Sequence, residues 1–169
     1  DQLKLLEEID PIKDVDGMHS KNISLILNGD MSGIIPATTK GILSLLDFYN
    51  IKISGKKVLI LGRSSLVGRP TALSFINQDA TVTICHSKSN KIKEEIKKSD
   101  IIISAIGKPN FIKKDFVKKG QIMIDVGITK IKDNILGDVD FKPVSKIVSY
   151  ITPVPGGVGP MTVISLFEN

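Results

Sequence analysis

At 169 residues with 41% hydrophobic and 24% charged side chains, the chain holds enough apolar material for one packed domain, or one domain with pieces of another. No apolar run reaches the roughly 20 residues of a membrane span, and one cysteine, Cys85, with two histidines excludes a disulfide framework and any metal-ligand spacing. The net charge of +5 does not signal nucleic acid, because the lysines come as Lys97-Lys98, Lys113-Lys114 and Lys118-Lys119 with no interleaved aromatics and read as solvated faces.

In chain order, Gln2 to Ile9 carries Leu3, Leu6 and Glu7 at helical spacing, and Pro11 ends that helix. Lys13 to Gly17 reads as a turn. From Asn22 to Gly33 the sequence predicts irregular chain around a short apolar run at Leu25–Leu27. Pro36 with Thr38-Thr39 predicts a helix start, followed by Ile42, Leu45, Leu46 and Tyr49 on one face. A regular alternation begins after Ser54-Gly55. Strands are expected at Val58–Leu61, Thr81–Cys85, Ile101–Ile103, Ile122–Val126 and Ile147–Ile151, with helices at Pro70–Asn77 and Lys91–Lys98. Short apolar strands alternating with amphipathic helices indicate an α/β fold: a Rossmann-like domain with a mostly parallel sheet covered by helices.

The segment Val58 to Pro70 reads strand, tight loop, helix, with Gly62, Arg63 and Ser64 at the turn. Gly62 permits a turn that a side chain forbids, and amides at the following helix start could cradle a pyrophosphate. The motif departs from the usual dinucleotide fingerprint, because Ser64 stands where its second glycine would be and the last glycine is displaced. Alone it fits a plain strand-to-helix turn equally well. Its place at the first strand of an alternating series favours binding. Cofactor choice is read at the end of the second strand, where NAD-binding domains place an acid for the ribose 2′-hydroxyl. Here the residues are Cys85-His86-Ser87-Lys88. The chain's two arginines, Arg63 and Arg69, both flank the glycine loop, and guanidinium suits phosphate. The chemistry favours NADP(H), although His86 and Ser87 could also form an ordinary polar turn. Gly107 and Gly127 follow strands, where each serves either close backbone approach to the cofactor or a simple turn.

Five motifs occur in order: Lys13-Asp-Val-Asp16-Gly17, Gly62-Arg-Ser64, Asp125-Val-Gly-Ile128, Gly137-Asp138-Val139, and Thr152-Pro-Val-Pro-Gly-Gly-Val-Gly-Pro-Met-Thr162. Together they resemble the bifunctional methylenetetrahydrofolate dehydrogenase/methenyltetrahydrofolate cyclohydrolase family, from Ile9 to the end of the chain. The resemblance implies a two-lobed enzyme of one-carbon metabolism and purine biosynthesis that holds tetrahydrofolate derivatives between its lobes. It would oxidise 5,10-methylenetetrahydrofolate with NADP⁺ and hydrolyse the methenyl product to 10-formyltetrahydrofolate. By position, Asp16 would hydrogen-bond the pterin and serve catalysis. Gly62, Arg63, Ser64, Ser87 and Ile128 would contact NADP. Pro153, Val154, Pro155, Gly156, Gly157, Val158, Gly159, Pro160 and Met161 would form the folate-side wall, with Pro160 opening a helix at its first position. A homodimer in the cytoplasm, without metal, nucleic acid or membrane, is the corresponding expectation.

The chain also departs from that family. Where relatives have Pro-Cys-Thr-Pro, this chain has Pro36-Ala37-Thr38-Thr39. The family's Tyr-x-x-x-Lys helix has no counterpart, since neither Tyr49 nor Tyr150 is followed four residues later by lysine. The expected division is therefore residues 1–35 as the incomplete C-terminal part of a catalytic lobe, 36–150 as the NADP-binding domain, and 151–169 as the return towards the catalytic lobe, with the lysine upstream. Two alternatives stand beside the enzyme: an NADP-binding regulatory or degenerate module without the lysine, and another two-lobed NADP dehydrogenase of the shikimate-dehydrogenase type. The glycine-proline motif argues against the last.

Overall fold

Five short strands line up side by side in one sheet: β1 (Lys57–Leu61), β2 (Thr81–Cys85), β3 (Ile101–Ser104), β4 (Ile122–Asp125) and β7 (Tyr150–Ile151). The computed structural model describes residues 2–30 and 32–169; Asp1, Met31 and the side chains of Gln2, Leu3 and Lys4, including the expected facing of Leu3, lie outside the described residues. The strand order is β2-β1-β3-β4-β7 with every pairing parallel. A parallel sheet needs both faces covered, and side-chain alternation supplies two. Val58, Ile60, Ile101, Ile103 and Ile124 bury against Ile42 and Leu46 of α3 (Ala37–Phe48) and Ala72 and Phe75 of α4 (Gly68–Ile76). Leu59, Leu61, Ile102 and Met123 point the other way, against Ile96 of α5 (Ile92–Lys98), Ile112, Val117, Val144 and Val148. The expected α/β architecture is what forms.

Chain order reverses beside β1, whose neighbours are β2 on one side and β3 on the other. In open α/β sheets ligands bind outside the carboxyl ends of the strands at this reversal. The Gly62 loop sits there.

Five local expectations change. The first half of the stretch expected to be irregular, Asn22 to Gly33, belongs to α2 (Ser20–Leu27), which follows α1 (Gln2–Glu7). Its start is capped by His19 Nδ1, which accepts the Lys21 amide at 3.0 Å, and Ile26 is fully buried. The buried position one turn earlier is Asn22, so the apolar period is broken in sequence. Asn22 Nδ2 donates to Pro11 O and Asp14 Oδ2, both at 2.9 Å. The start of α3 is not capped by its threonines: Thr39 is buried, with its hydroxyl 2.9 Å from that of Thr71. Tyr49, expected on the apolar face, lies beyond the helix and is exposed.

The run Ile147–Ile151 yields only two strand residues. It continues the turn after α6 (Phe141–Val144), since the amides of Ile147 and Val148 donate to Val144 O at 2.9 and 3.2 Å. An antiparallel hairpin, β5 (Thr129–Ile131) with β6 (Asn134–Leu136), projects after β4. Last, α7 (Val158–Glu168) begins two residues before Pro160, which is thus third rather than first in its helix. Proline is tolerated there because first-turn amides have no partner inside the helix.

The ends of the chain pack on this framework. Gly41 of α3 lies so close to α7 that an added Cβ would stand 3.0 Å from the Met161 backbone. Asn169 Nδ2 donates to Val15 O at 2.8 Å and Ile35 O at 3.0 Å, and Asn77, just past the end of α4, donates to Ile26 O at 2.7 Å.

Candidate functional site

The first cavity is built by the ends of β1, β2 and β3. Gly62 turns with φ +116°, and a Cβ there would stand 2.4 Å from Ala105 O. Its amide donates to Cys85 O at 2.8 Å, and the Ala105 amide donates to Leu61 O at 2.8 Å. Three strand ends are thereby locked together. Gly68 answers from the helix side, where a Cβ would meet Gly62 O at 2.4 Å. The displaced last glycine thus still serves close packing of helix on strand.

Beside this junction is a cavity of about 390 Å³ whose lining includes Gly62, Arg63, His86, Ser87, Ala105 and Lys108. Three of these can carry positive charge and none is a carboxylate. Arg63 and Ser87, 24 positions apart in sequence, share it. The polar-turn alternative for His86 also holds, since its amide donates to Ser89 Oγ at 3.0 Å and its Nδ1 accepts from the Lys88 amide at 3.2 Å. A built turn and a cavity wall coincide. Sequence reading did not single out Lys108; its signal was the glycine before it at the end of a strand.

Ser64 does not join that lining. Its Oγ accepts from the amides of Val67 at 3.1 Å and Gly68 at 3.3 Å, capping α4 from within its own loop. Val67, at the N-cap position, offers no side-chain bond. Ser64→Ala is expected to cost about 1 kcal/mol, the usual loss of a side-chain cap, readable as a lower melting temperature.

The second cavity, about 560 Å³, brings Ile128 together with Pro153, Val154, Pro155, Gly156, Gly157, Val158, Gly159 and Pro160. Its lining is mainly apolar, with Asp125, Thr38 and Thr162 as polar members. Gly156 and Gly159 have open space where a Cβ would be, so backbone faces the cavity; Gly157 is needed for the turn, since a Cβ would stand 2.4 Å from Pro153 O. Met161 is separated from this group. It lines a third space of about 300 Å³ behind the wall, with Tyr49, Ile122 and Tyr150. Pro153, Gly156, Gly157 and Pro160 border both spaces.

Asp16 is exposed and lines none of these three cavities. It lies on the loop held by Asn169 at the end of α7, whereas the glycine-proline wall lies at that helix's start. The buried acid of its motif is Asp14, whose Oδ2 accepts from the His19 amide at 2.7 Å and from Asn22 Nδ2 at 2.9 Å.

Two further acids of the motifs, Asp125 and Asp138, are buried beside the cavities. Asp138 is fully buried and accepts from Ser104 Oγ at 2.8 Å, the Ile106 amide at 2.9 Å and the Lys108 amide at 2.8 Å. Asp125 accepts from the amides of Gly127, Asp138 and Val139 at 2.9–3.0 Å. Burial pushes the Asp125 carboxyl up to about 6, with the charge of Asp138 adding to the rise and the three amides opposing it. Gly127 and Gly137 serve these acids: a Cβ on Gly127 would stand 2.2 Å from Asp138 Oδ1, and one on Gly137 would stand 2.1 Å from Asp125 Oδ2. Gly107 is the simple turn glycine, with φ +65° and open space around it.

Comparison with known proteins agrees with this fold. The bifunctional protein FolD of Acholeplasma laidlawii is 52% identical over 165 residues, covering 98% of this chain and 59% of its own length. FolD of Campylobacter hominis is 48% identical over 170 residues, covering 100% and 60%. The chain thus spans about three-fifths of the relatives it matches. The crystal structure of the bifunctional enzyme FolD from Campylobacter jejuni superimposes with a TM-score of 0.97 at 46% identity, covering 99% of this chain and 60% of that one. The Trypanosoma brucei methylenetetrahydrofolate dehydrogenase-cyclohydrolase, complexed with NADP cofactor and inhibitor, gives 0.94 at 37% identity, covering 99% and 60%. A shikimate dehydrogenase from Aquifex aeolicus shares the fold alone, at 15% identity and a TM-score of 0.58. Residues 36–169 match the family described as tetrahydrofolate dehydrogenase/cyclohydrolase, NAD(P)-binding domain, and the chain belongs to that family.

Proposed function

We propose that the protein containing this chain oxidises 5,10-methylenetetrahydrofolate with NADP⁺ and hydrolyses the methenyl product to 10-formyltetrahydrofolate. The observation that carries the cofactor choice is the convergence of Arg63, His86, Ser87 and Lys108 on one carboxylate-free cavity beside Gly62. A ribose 2′-phosphate needs cations and hydroxyl donors, whereas a 2′-hydroxyl is usually held by an acid. The residues present fit the phosphorylated form. When bound, NADP⁺ supplies the hydride acceptor.

Arg63 and Ser87 hold the 2′-phosphate end, Gly62 and Ser64 shape the turn beside it, and Ile128 borders the nicotinamide side. The wall from Pro153 to Pro160 offers bare backbone and apolar surface to the folate, with Met161 behind it; a pterin contact by Asp16 requires a cleft outside these cavities. Residues 1–35 and 151–169 belong with that lobe, and 36–150 form the NADP-binding unit. The whole protein acts as a cytoplasmic homodimer in one-carbon metabolism, supplying purine biosynthesis.

Arg63→Ala in the full-length protein is expected to weaken NADP⁺ binding while leaving NAD⁺ almost unchanged. Hydrogen bonds to charged groups contribute about 1.5–3 kcal/mol, roughly 10- to 100-fold in affinity. Calorimetry with both nucleotides reads it, and equal losses would remove the 2′-phosphate role. Reduction of NADP⁺ with methylenetetrahydrofolate, and not with shikimate, by the full-length protein tests the activity. Nucleotide binding without turnover would leave the binding-module reading instead.

A further inference from the structure

Asp125 borders the second cavity and Asp138 is fully buried, and between them their carboxylates hold backbone of both cavities. Asp138 reaches the end of β3 and the loop after it: Ser104, then the amides of Ile106 and Lys108, both residues of the first cavity's lining. Asp125 holds the Gly127 amide, one residue before Ile128 of the second cavity. It also accepts from the amides of Asp138 and Val139, so the backbone that carries the Asp138 carboxylate is anchored on Asp125. The Asp125 amide in turn donates to Thr152 Oγ1 at 2.8 Å, and Thr152 immediately precedes the wall.

We propose that Asp125 and Asp138 are positioning residues that hold the cofactor loops 105–108 and 127–128 and the wall after Thr152 in one fixed relation. The inference rests on the functional reading above. Simple structural filling would not need this arrangement. Two buried like charges next to each other cost stability that apolar residues of similar size would not. Gly127 and Gly137 are kept bare so that these carboxylates can approach. What the acids supply is geometry. Six donors from three chain segments converge on four carboxylate oxygens, and a reacting pair misplaced by about 1 Å can lose on the order of 100-fold in rate. Asparagine at position 125 keeps the size but presents an NH₂ group either to the Val139 amide or to the Gly127 and Asp138 amides, so part of this anchoring must let go.

The test uses the full-length protein and two readouts. Adenosine 2′,5′-bisphosphate, a cofactor fragment without the nicotinamide, reports the Arg63–Ser87 cavity alone. Methylenetetrahydrofolate-dependent NADP⁺ reduction at saturating substrates reports the alignment of both cavities. For Asp125→Asn the fragment's Kd is expected to stay within twofold while kcat falls at least tenfold. Thr152→Val, which removes the tie to the wall and no charge, is expected to split the readouts in the same direction; it decides the matter should Asp125→Asn fail to fold. Unchanged kcat in a folded variant overturns the proposal, and so does a parallel loss of fragment affinity and kcat, which would mark general loosening. A wild-type protein that neither binds the fragment nor reduces NADP⁺ overturns the functional reading itself, a result distinct from either.

Discussion

Gly62→Ala is expected to destabilise the full-length protein by about 3 kcal/mol or more and to weaken NADP⁺ binding at least tenfold. Two costs add. The backbone at Gly62 has φ +116°, a conformation that side chains rarely adopt. A Cβ would also stand 2.4 Å from Ala105 O, a backbone atom that cannot rotate aside. Relief requires the ends of β1 and β3 to part where Ala105 donates to Leu61, which also strains the bond from Gly62 to Cys85 at the end of β2. That point is also the edge of the cationic cavity, so stability and nucleotide affinity fall together. Gly107→Ala is the control: φ is +65° but the space is open, so only the local conformational cost of about 1 kcal/mol remains. Urea unfolding with calorimetry separates the two. A Gly62→Ala protein as stable as Gly107→Ala would show that the strand ends are not locked as described.

The second large effect is a dependence on pH. Asp125 has an ordinary carboxyl value of 3.8 in the unfolded chain and about 6 when folded, raised chiefly by burial. Between these values the native state holds more protons than the unfolded state, so stability falls as pH rises from about 4 to about 6. A rise of about two pH units corresponds to on the order of 3 kcal/mol. Exposed acids tilt the other way: Glu7, Asp30 and Asp115 are all lowered, by hydrogen bonds from Ser20, Ser32 and Lys93 respectively. The measurement is therefore a difference. Wild type is expected to lose stability relative to Asp125→Asn across this window, followed by urea unfolding at half-unit steps. Parallel curves for the two proteins would mean that Asp125 titrates as in open chain.

Much of the fold was legible because its signals are local. Apolar runs at Val58, Ile101 and Ile122 follow from a sheet buried on both faces, and such strands advertise themselves in any window of a few residues. The Gly62 turn was legible for the same reason, as was the absence of an acid after β2. Helix α2 was hidden because Asn22 takes an inward position that periodicity reserves for an apolar side chain; its partners, Pro11, Asp14 and Ile34, lie 8 to 12 residues away. The end of the Ile147–Ile151 run was misjudged because burial, which packs Val148, and strand pairing, which begins at Tyr150, give the same composition.

What the sequence by itself determined is the alternating α/β pattern, the glycine turn at its first strand and the order of the five motifs. Tertiary structure alone decided that Arg63, His86, Ser87 and Lys108 share a cavity, that Met161 faces away from the Ile128 side of the wall, and that Asp125 and Asp138 accept hydrogen bonds from backbone beside both cavities. The physical reason is range: backbone preference and apolar period act between neighbours in sequence. A buried charge finds its partners wherever the folded chain returns, here 13 to 34 positions away.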